Sequence, residues 1–183
     1  METQRLMNVR LAFVGAGNMA EALVRGILDG GLLPPERVVA SDPDETRREH
    51  MRTSYGIAVT GDNDTAVADA NVVLLAVKPQ AAPAVLDGLA ESLAGDALLI
   101  SICAGLSTGG MEGRLRPGAR VVRAMPNTPA LVGRGAAGLC GGRHATSEDL
   151  DLAQQLLGAV GLAVRVRECD MDAVTALSGS GPA

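Results

Sequence analysis

Aromatic side chains are nearly missing from this 183-residue sequence, which holds one Tyr, one Phe and no Trp. A stacking platform for nucleic-acid bases is thereby excluded, and a net charge of −5 offers no general attraction to a polyanion. Cysteine is equally scarce. Cys103, Cys140 and Cys169 are odd in number, widely spaced and never in a Cys-x-x-Cys arrangement, which argues against a disulfide framework or a zinc site. Free thiols of this kind suit a reducing, cytoplasmic setting. Met1–Arg10 has no apolar core of signal-peptide length and no run is long enough to span a bilayer, so no membrane partner is expected. His50 and His144 lie in polar surroundings without an acid or serine at motif spacing, and the scattered acids form no pair for glycosidic chemistry. Lysine occurs once, as Lys78, against fifteen Arg.

What remains is a chain rich in small and aliphatic residues, long enough for one domain and the beginning of a second. Its most informative stretch runs from Val9 to Gly30: an apolar strand ending at Val14, the turn Gly15-Ala16-Gly17-Asn18-Met19-Ala20, and a helix with Ala22, Leu23, Gly26 and Ile27 on one face. In that order Gly15 permits the tight turn, Gly17 lets backbone N–H groups approach a pyrophosphate, and small Ala20 lets helix and strand pack closely. The helix N-terminus adds unpaired donors and partial positive charge. A glycine turn alone is weak evidence, because turns use glycine whatever they bind. Asp42, about 20 residues on at the end of the next strand, strengthens it, since an acid there reaches the ribose hydroxyls of a dinucleotide.

The rest of the chain alternates strands and helices. Strands are predicted at 37–41, 56–60, 72–77, 97–103, 120–124, 136–140 and 162–166, with helices at 45–51, after 61–64, at 82–93, 107–115 and 150–160, and from Asp170 or Asp172 onward. The continuous apolar runs at 72–77 and 97–103 suit parallel strands buried on both faces. Together these define an α/β, Rossmann-like, doubly wound and mostly parallel sheet. Asp44 and Ser107 read as helix caps, and Thr146-Ser147-Glu148-Asp149 as a capping signature. Asn63 reads by default as part of a turn. Lys78 falls at the carboxyl end of a central strand, the edge where such sheets bind ligands. Cys103 reads as a small core residue. Arg47 and Arg48 fit either a solvated helix face or a clamp on the 2′-phosphate of NADP. Met125-Pro126-Asn127-Thr128-Pro129 fits equally a polar turn or a stiff loop aiming Asn127 and Thr128 at a ligand.

Phe13–Ala20, Ala76-Val77-Lys78-Pro79-Gln80, Ser101-Ile102-Cys103-Ala104-Gly105, Arg123–Pro129 and Ala173–Ala183, in this order, resemble the pyrroline-5-carboxylate reductase family. The resemblance implies NADPH or NADH as cofactor and 1-pyrroline-5-carboxylate as substrate, reduced at its C=N bond to L-proline. It carries cofactor contacts over to Gly15, Ala16, Gly17, Asn18, Met19, Ala20, Asp42, Asn63, Ala76, Val77, Lys78, Pro79, Cys103, Ala104 and Gly105. Asn127 and Thr128 would border the nicotinamide side, with Glu168 a further acid near the reaction centre. No catalytic residue and no metal ligand is assigned. The implied layout is an arm at 1–8, an NAD(P)-binding domain at 9–167, and at 168–183 the start of a truncated all-helical domain through which the full-length protein would form homo-oligomers. Asp42, where relatives often have a small polar residue, would repel a 2′-phosphate and tilt preference toward NADH, while Arg47 and Arg48 keep NADPH open. The alternatives are a related dehydrogenase of the 3-hydroxy acid type, or, for this chain alone, a dinucleotide-binding module without activity.

Overall fold

Side chains of a β-strand alternate between the two faces of its sheet, and here both faces are apolar. In the computed structural model, which describes residue 6 and residues 8–180, β1 (Leu11–Val14) sends Leu11 and Phe13 to one face and Ala12 and Val14 to the other. The same division recurs along β2 (Val38–Ser41), β4 (Val72–Leu75), β5 (Leu98–Ser101) and β6 (Arg120–Pro126), while β3 (Ala58–Thr60) lies at one margin of the sheet. Such strands must be covered on both sides.

Helices supply the cover. On the Phe13 face lie α1 (Asn18–Asp29), α2 (Glu45–Tyr55) and α6 (Ser147–Gly158). On the Val14 face lie α3 (Asn63–Val67), α4 (Ala82–Ser92) and α5 (Thr108–Glu112). The eight strands run β3-β2-β1-β4-β5-β6-β7-β8. Every pairing is parallel except that of β6 with β7 (Gly135–Gly141), where a 3₁₀ turn at Thr128–Val132 reverses the chain. The last strand, β8 (Gly161–Arg165), buries Ala163 and leaves Leu162 and Val164 exposed, as the outermost strand of a sheet does.

Local signals set most boundaries. The Asp44 side chain accepts from the N–H groups of Thr46 and Arg47 to start α2, and Gly56, at φ 68°, closes it. Helix α2 is longer than the predicted 45–51, because half-buried Tyr55 packs against the core in its last turn. Ser107 caps α5 through the Gly110 N–H. Thr146 and Asp149 form a reciprocal capping box for α6, and Asp149 is also paired with Arg120 at 2.7 Å. Strand β6 extends two residues past the predicted Ala124, because antiparallel pairing with β7 continues to Pro126. After β8 the chain makes a 3₁₀ turn at Glu168–Asp170, α7 (Met171–Val174) and a π-helical stretch at Thr175–Ser180. Of the expected arm at 1–8, half-buried Leu6 packs against the core and residues 1–5 and 7 lie outside the described residues, as does the Gly181-Pro182-Ala183 ending.

Phe13 is fully buried at the centre of the Phe13-face core. Phe13→Ala is expected to lower unfolding free energy by about 3–5 kcal/mol, the usual loss of transfer energy plus cavity cost, as read by urea denaturation.

Candidate functional site

Parallel pairing brings the carboxyl ends of β1, β2, β4 and β5 to one edge of the sheet. The chain leaves β1 through Gly15, whose N–H donates to the Ser41 carbonyl at 2.8 Å and whose φ is +100°. A Cβ on Gly15 would stand 2.7 Å from the carbonyl oxygen of Ala76 at the end of β4. Both the dihedral and the contact demand glycine. Gly17 has a different role: at φ −70° it is the N-cap of α1, no side chain caps that helix, and a Cβ there would meet nothing within 4 Å. The first turn of α1 therefore opens onto free space with its N–H donors uncapped, a cradle that fits an anion. Ala20 is buried behind it, where its small side chain lets α1 approach the sheet.

The other predicted residues fall around this turn. Asp42 is half-buried, with Oδ2 accepting the Ala16 N–H at 2.8 Å and Oδ1 accepting the Asp44 N–H at 2.9 Å. Asn63, the first residue of α3, accepts the Ser41 hydroxyl on Oδ1 at 2.7 Å, while the capping of α3 is done by Asp62. Ala76 and Val77 are half-buried and Lys78 and Pro79 exposed at the end of β4. Cys103 is buried, and its thiol reaches toward the Val77 carbonyl at 3.3 Å. Burial raises its pKa against the opposing effect of the Ser101 and Val77 hydrogen bonds, which keeps it a thiol and accords with a core role. Ala104 and Gly105 are exposed beside it.

Asn127, Thr128 and Glu168 come from later segments and are held by other partners. The Asn127 side chain accepts the Ala136 N–H at 2.8 Å and donates to Ser178 Oγ at 2.9 Å, so both ends of its amide are engaged. Thr128 is exposed at the start of the 3₁₀ turn. Glu168 accepts from the Thr108 N–H at 2.6 Å and the Thr108 hydroxyl at 2.5 Å, and lies 3.7 Å from buried Arg123. It thus ties the turn after β8 to α5. Among the described residues, no group of three or more His, Cys, Asp or Glu could hold a metal ion, and no helix is long and apolar enough to cross a membrane. A cavity of about 940 Å³ lies away from the glycine turn, between the far half of α1, the 3₁₀ turn and the end of α6.

Sequence reasoning missed a polar cluster behind the turn. Glu21, in α1, lies 2.7 Å from Arg47 Nη2 and 2.8 Å from His50 Nε2, and it accepts the Tyr55 hydroxyl at 3.0 Å. Arg47 also donates to the Ala16 carbonyl, whereas Arg48 donates to the carbonyls of Asp42 and Pro43. Neither arginine is a merely solvated residue. The one-turn spacing of Arg47 and His50 was the available signal, but nothing in the sequence tied that face to Glu21.

An open parallel sheet, a glycine turn feeding an uncapped helix and an acid ending the second strand define a dinucleotide-binding domain of the Rossmann class. A family model described as NADP oxidoreductase, coenzyme F420-dependent, matches residues 10–105, more than half of the chain, and the chain belongs to that family. Within it the similarity is to pyrroline-5-carboxylate reductases. The enzyme of that name from Methanosarcina acetivorans is 44% identical over 176 residues, covering 96% of this chain and 65% of the relative. The solved structure of a pyrroline-5-carboxylate reductase from Coxiella burnetii superposes with a TM-score of 0.91 at 35% identity, over 95% of this chain and 65% of that one. The Plasmodium falciparum pyrroline carboxylate reductase, solved with NADP bound, gives a TM-score of 0.83 at 32% identity, over 96% of this chain and 64% of that one. The chain therefore spans just under two thirds of these relatives' lengths. It matches their dinucleotide-binding domain, as the motifs implied.

Burial alone would raise the pKa of Glu21, but hydrogen bonds from His50, Arg47 and Tyr55 outweigh it and hold the carboxyl at about 2, below its ordinary 4.5. A carboxylate with a lowered folded-state pKa stabilises the fold fully above its unfolded value and loses that contribution as pH falls. The stability difference between wild type and Glu21→Gln is expected to shrink as pH falls from 4.5 to 2, by urea unfolding across pH.

Proposed function

We propose that this domain binds a nicotinamide dinucleotide with its diphosphate on the amides at the start of α1. In the complete protein it would serve the NAD(P)H-dependent reduction of 1-pyrroline-5-carboxylate to L-proline. The single observation that carries the reading is the pairing of Gly15 with Gly17, the first required by the close approach to β4 and the second leaving the helix start uncovered. Bound NAD(P)H would supply the hydride for the C=N carbon.

The chain's own residues would bind and orient. Gly17, Asn18 and Met19 would face the diphosphate. Asp42 and Asn63 would border the adenosine ribose, and Ala76–Pro79 with Cys103–Gly105 would line the path toward the nicotinamide. Asn127 and Thr128 would border the nicotinamide side, with Asn127 held rigid by its two hydrogen bonds. Glu168 is committed to Thr108, which weighs against its acting as proton donor in this chain. Protonation of the ring nitrogen makes the C=N carbon more electrophilic, and no residue here is assigned that proton.

Residues 168–180, with their 3₁₀ turn, α7 and π-helical stretch, are read as part of a helical unit of the kind through which a full-length reductase would form a homo-oligomer. A cytoplasmic setting follows from the cysteine usage. Asp42 should disfavour a 2′-phosphate by like-charge repulsion, and Arg47 is unavailable to offset it because its guanidinium is engaged by Glu21 and Ala16. Titration of the 183-residue chain with each cofactor is expected to show NADH bound more tightly than NADPH, the order reversing in Asp42→Ser. No measurable proline formation is expected from the same samples. Absence of binding to either cofactor would end the proposal, and tighter NADPH binding by the wild type would refute the role given to Asp42.

A further inference from the structure

Arg47, on α2, holds the glycine turn from behind. Its Nε and Nη2 both donate to the Ala16 carbonyl, at 2.8 and 2.6 Å, and Nη2 also meets Glu21 Oε2 at 2.7 Å. Glu21 is fixed in turn by the Tyr55 hydroxyl at 3.0 Å and by His50 Nε2 at 2.8 Å. From the opposite side Asp42 Oδ2 takes the Ala16 N–H at 2.8 Å. Both backbone polar groups of Ala16 are thereby pinned, one by a cation on α2 and the other by the acid that ends β2.

A trans peptide is planar, and its C=O and the following N–H point in opposite directions. Holding the Ala16 carbonyl toward α2 consequently turns the Gly17 N–H to the other side. Among the described residues no hydrogen bond engages the Gly17 N–H, and a Cβ at position 17 would meet nothing within 4 Å. A guanidinium suits the task because its planar fork serves a carbonyl and a carboxylate at once, which a lysine ammonium cannot do with the same fixed geometry.

We propose that Arg47 is a positioning residue for the dinucleotide diphosphate, acting through the Ala16–Gly17 peptide to aim the Gly17 amide at a phosphate oxygen. The inference rests on the diphosphate reading above and adds a residue outside the glycine motif. It also makes α2 part of the binding apparatus without contact between α2 and the phosphate. Glu21 takes part as the anchor that sets the guanidinium plane.

The test is calorimetric titration of NADH into the 183-residue chain as wild type, Arg47→Met, Arg47→Lys and the double variant Arg47→Met/Glu21→Gln. Arg47→Met is expected to weaken NADH by about tenfold or more, the scale of one charge-assisted hydrogen bond. Arg47→Lys, with a point charge in place of the fork, should fall between wild type and Arg47→Met. The double variant should remain weak, because removing the Glu21 charge does not restore the carbonyl clamp. Hydrogen exchange supplies a readout that a purely structural role would not move: NADH should slow exchange at the Gly17 amide in wild type and fail to do so in Arg47→Met. Urea unfolding without ligand checks that each variant is folded, and the lysine variant keeps the test alive if Arg47→Met is not. Wild-type affinity in Arg47→Met, or full recovery in the double variant, would overturn the proposal while leaving the diphosphate site in place. A wild type that does not bind NADH at all would remove the site and this inference together.

Discussion

Between the end of β1 and the end of β4 there is no room for a Cβ. Gly15 sits against the Ala76 carbonyl at a dihedral that only glycine adopts readily, and this close approach lets β1 turn sharply into α1. If the turn were wider, α1 would start further from the sheet edge. Its uncapped N–H groups would then no longer converge with the carboxyl ends of β2, β4 and β5. The candidate site depends on that one contact more than on any charged side chain.

Packing on the Phe13 face extends the same logic. A Cβ on Gly26 would lie 2.6 Å from the Ala159 carbonyl, so a second missing side chain lets α1 and α6 close over the sheet. Aliphatic residues fill the space that remains, and aromatic bulk is confined to Phe13 and Tyr55. Polar groups are admitted where they hold ends together: Asp149 joins the start of α6 to Arg120, and Glu168 joins the turn after β8 to α5. At the edge that carries the candidate site, Asp44, Asp62 and Ser107 cap α2, α3 and α5, whereas α1 has no side-chain cap and keeps its backbone donors available to an anion.

The layered α/β order was legible because each strand is a short apolar run and each break carries its own chemistry, from Gly30-Gly31 through Asp44 to the Thr146–Asp149 box. Boundaries drifted where tertiary contact overrode local pattern. Tyr55 drew α2 four residues beyond Met51, and pairing with β7 carried β6 to Pro126. The π-helical form of residues 175–180 had no signature in the sequence. At the site, the glycine turn and Asp42 were readable because motif spacing encodes them, and the structure gathers Asn63, Val77 and Cys103 around the same edge. The Glu21–Arg47–His50–Tyr55 cluster was not readable, because its members come from two helices whose facing sides are fixed only once both pack on the Phe13 face.

Everything proposed for this chain requires main-chain amides at the start of α1 to hold a diphosphate. A crystal structure of this chain grown with NADH tests it most directly. Phosphate oxygens are expected within hydrogen-bonding distance of the amide nitrogens of Gly17, Asn18 or Met19, with Asp42 facing the adenosine ribose. A dinucleotide lodged instead in the cavity between α1 and α6, or a turn with no phosphate against it, would rule out a diphosphate site at the start of α1.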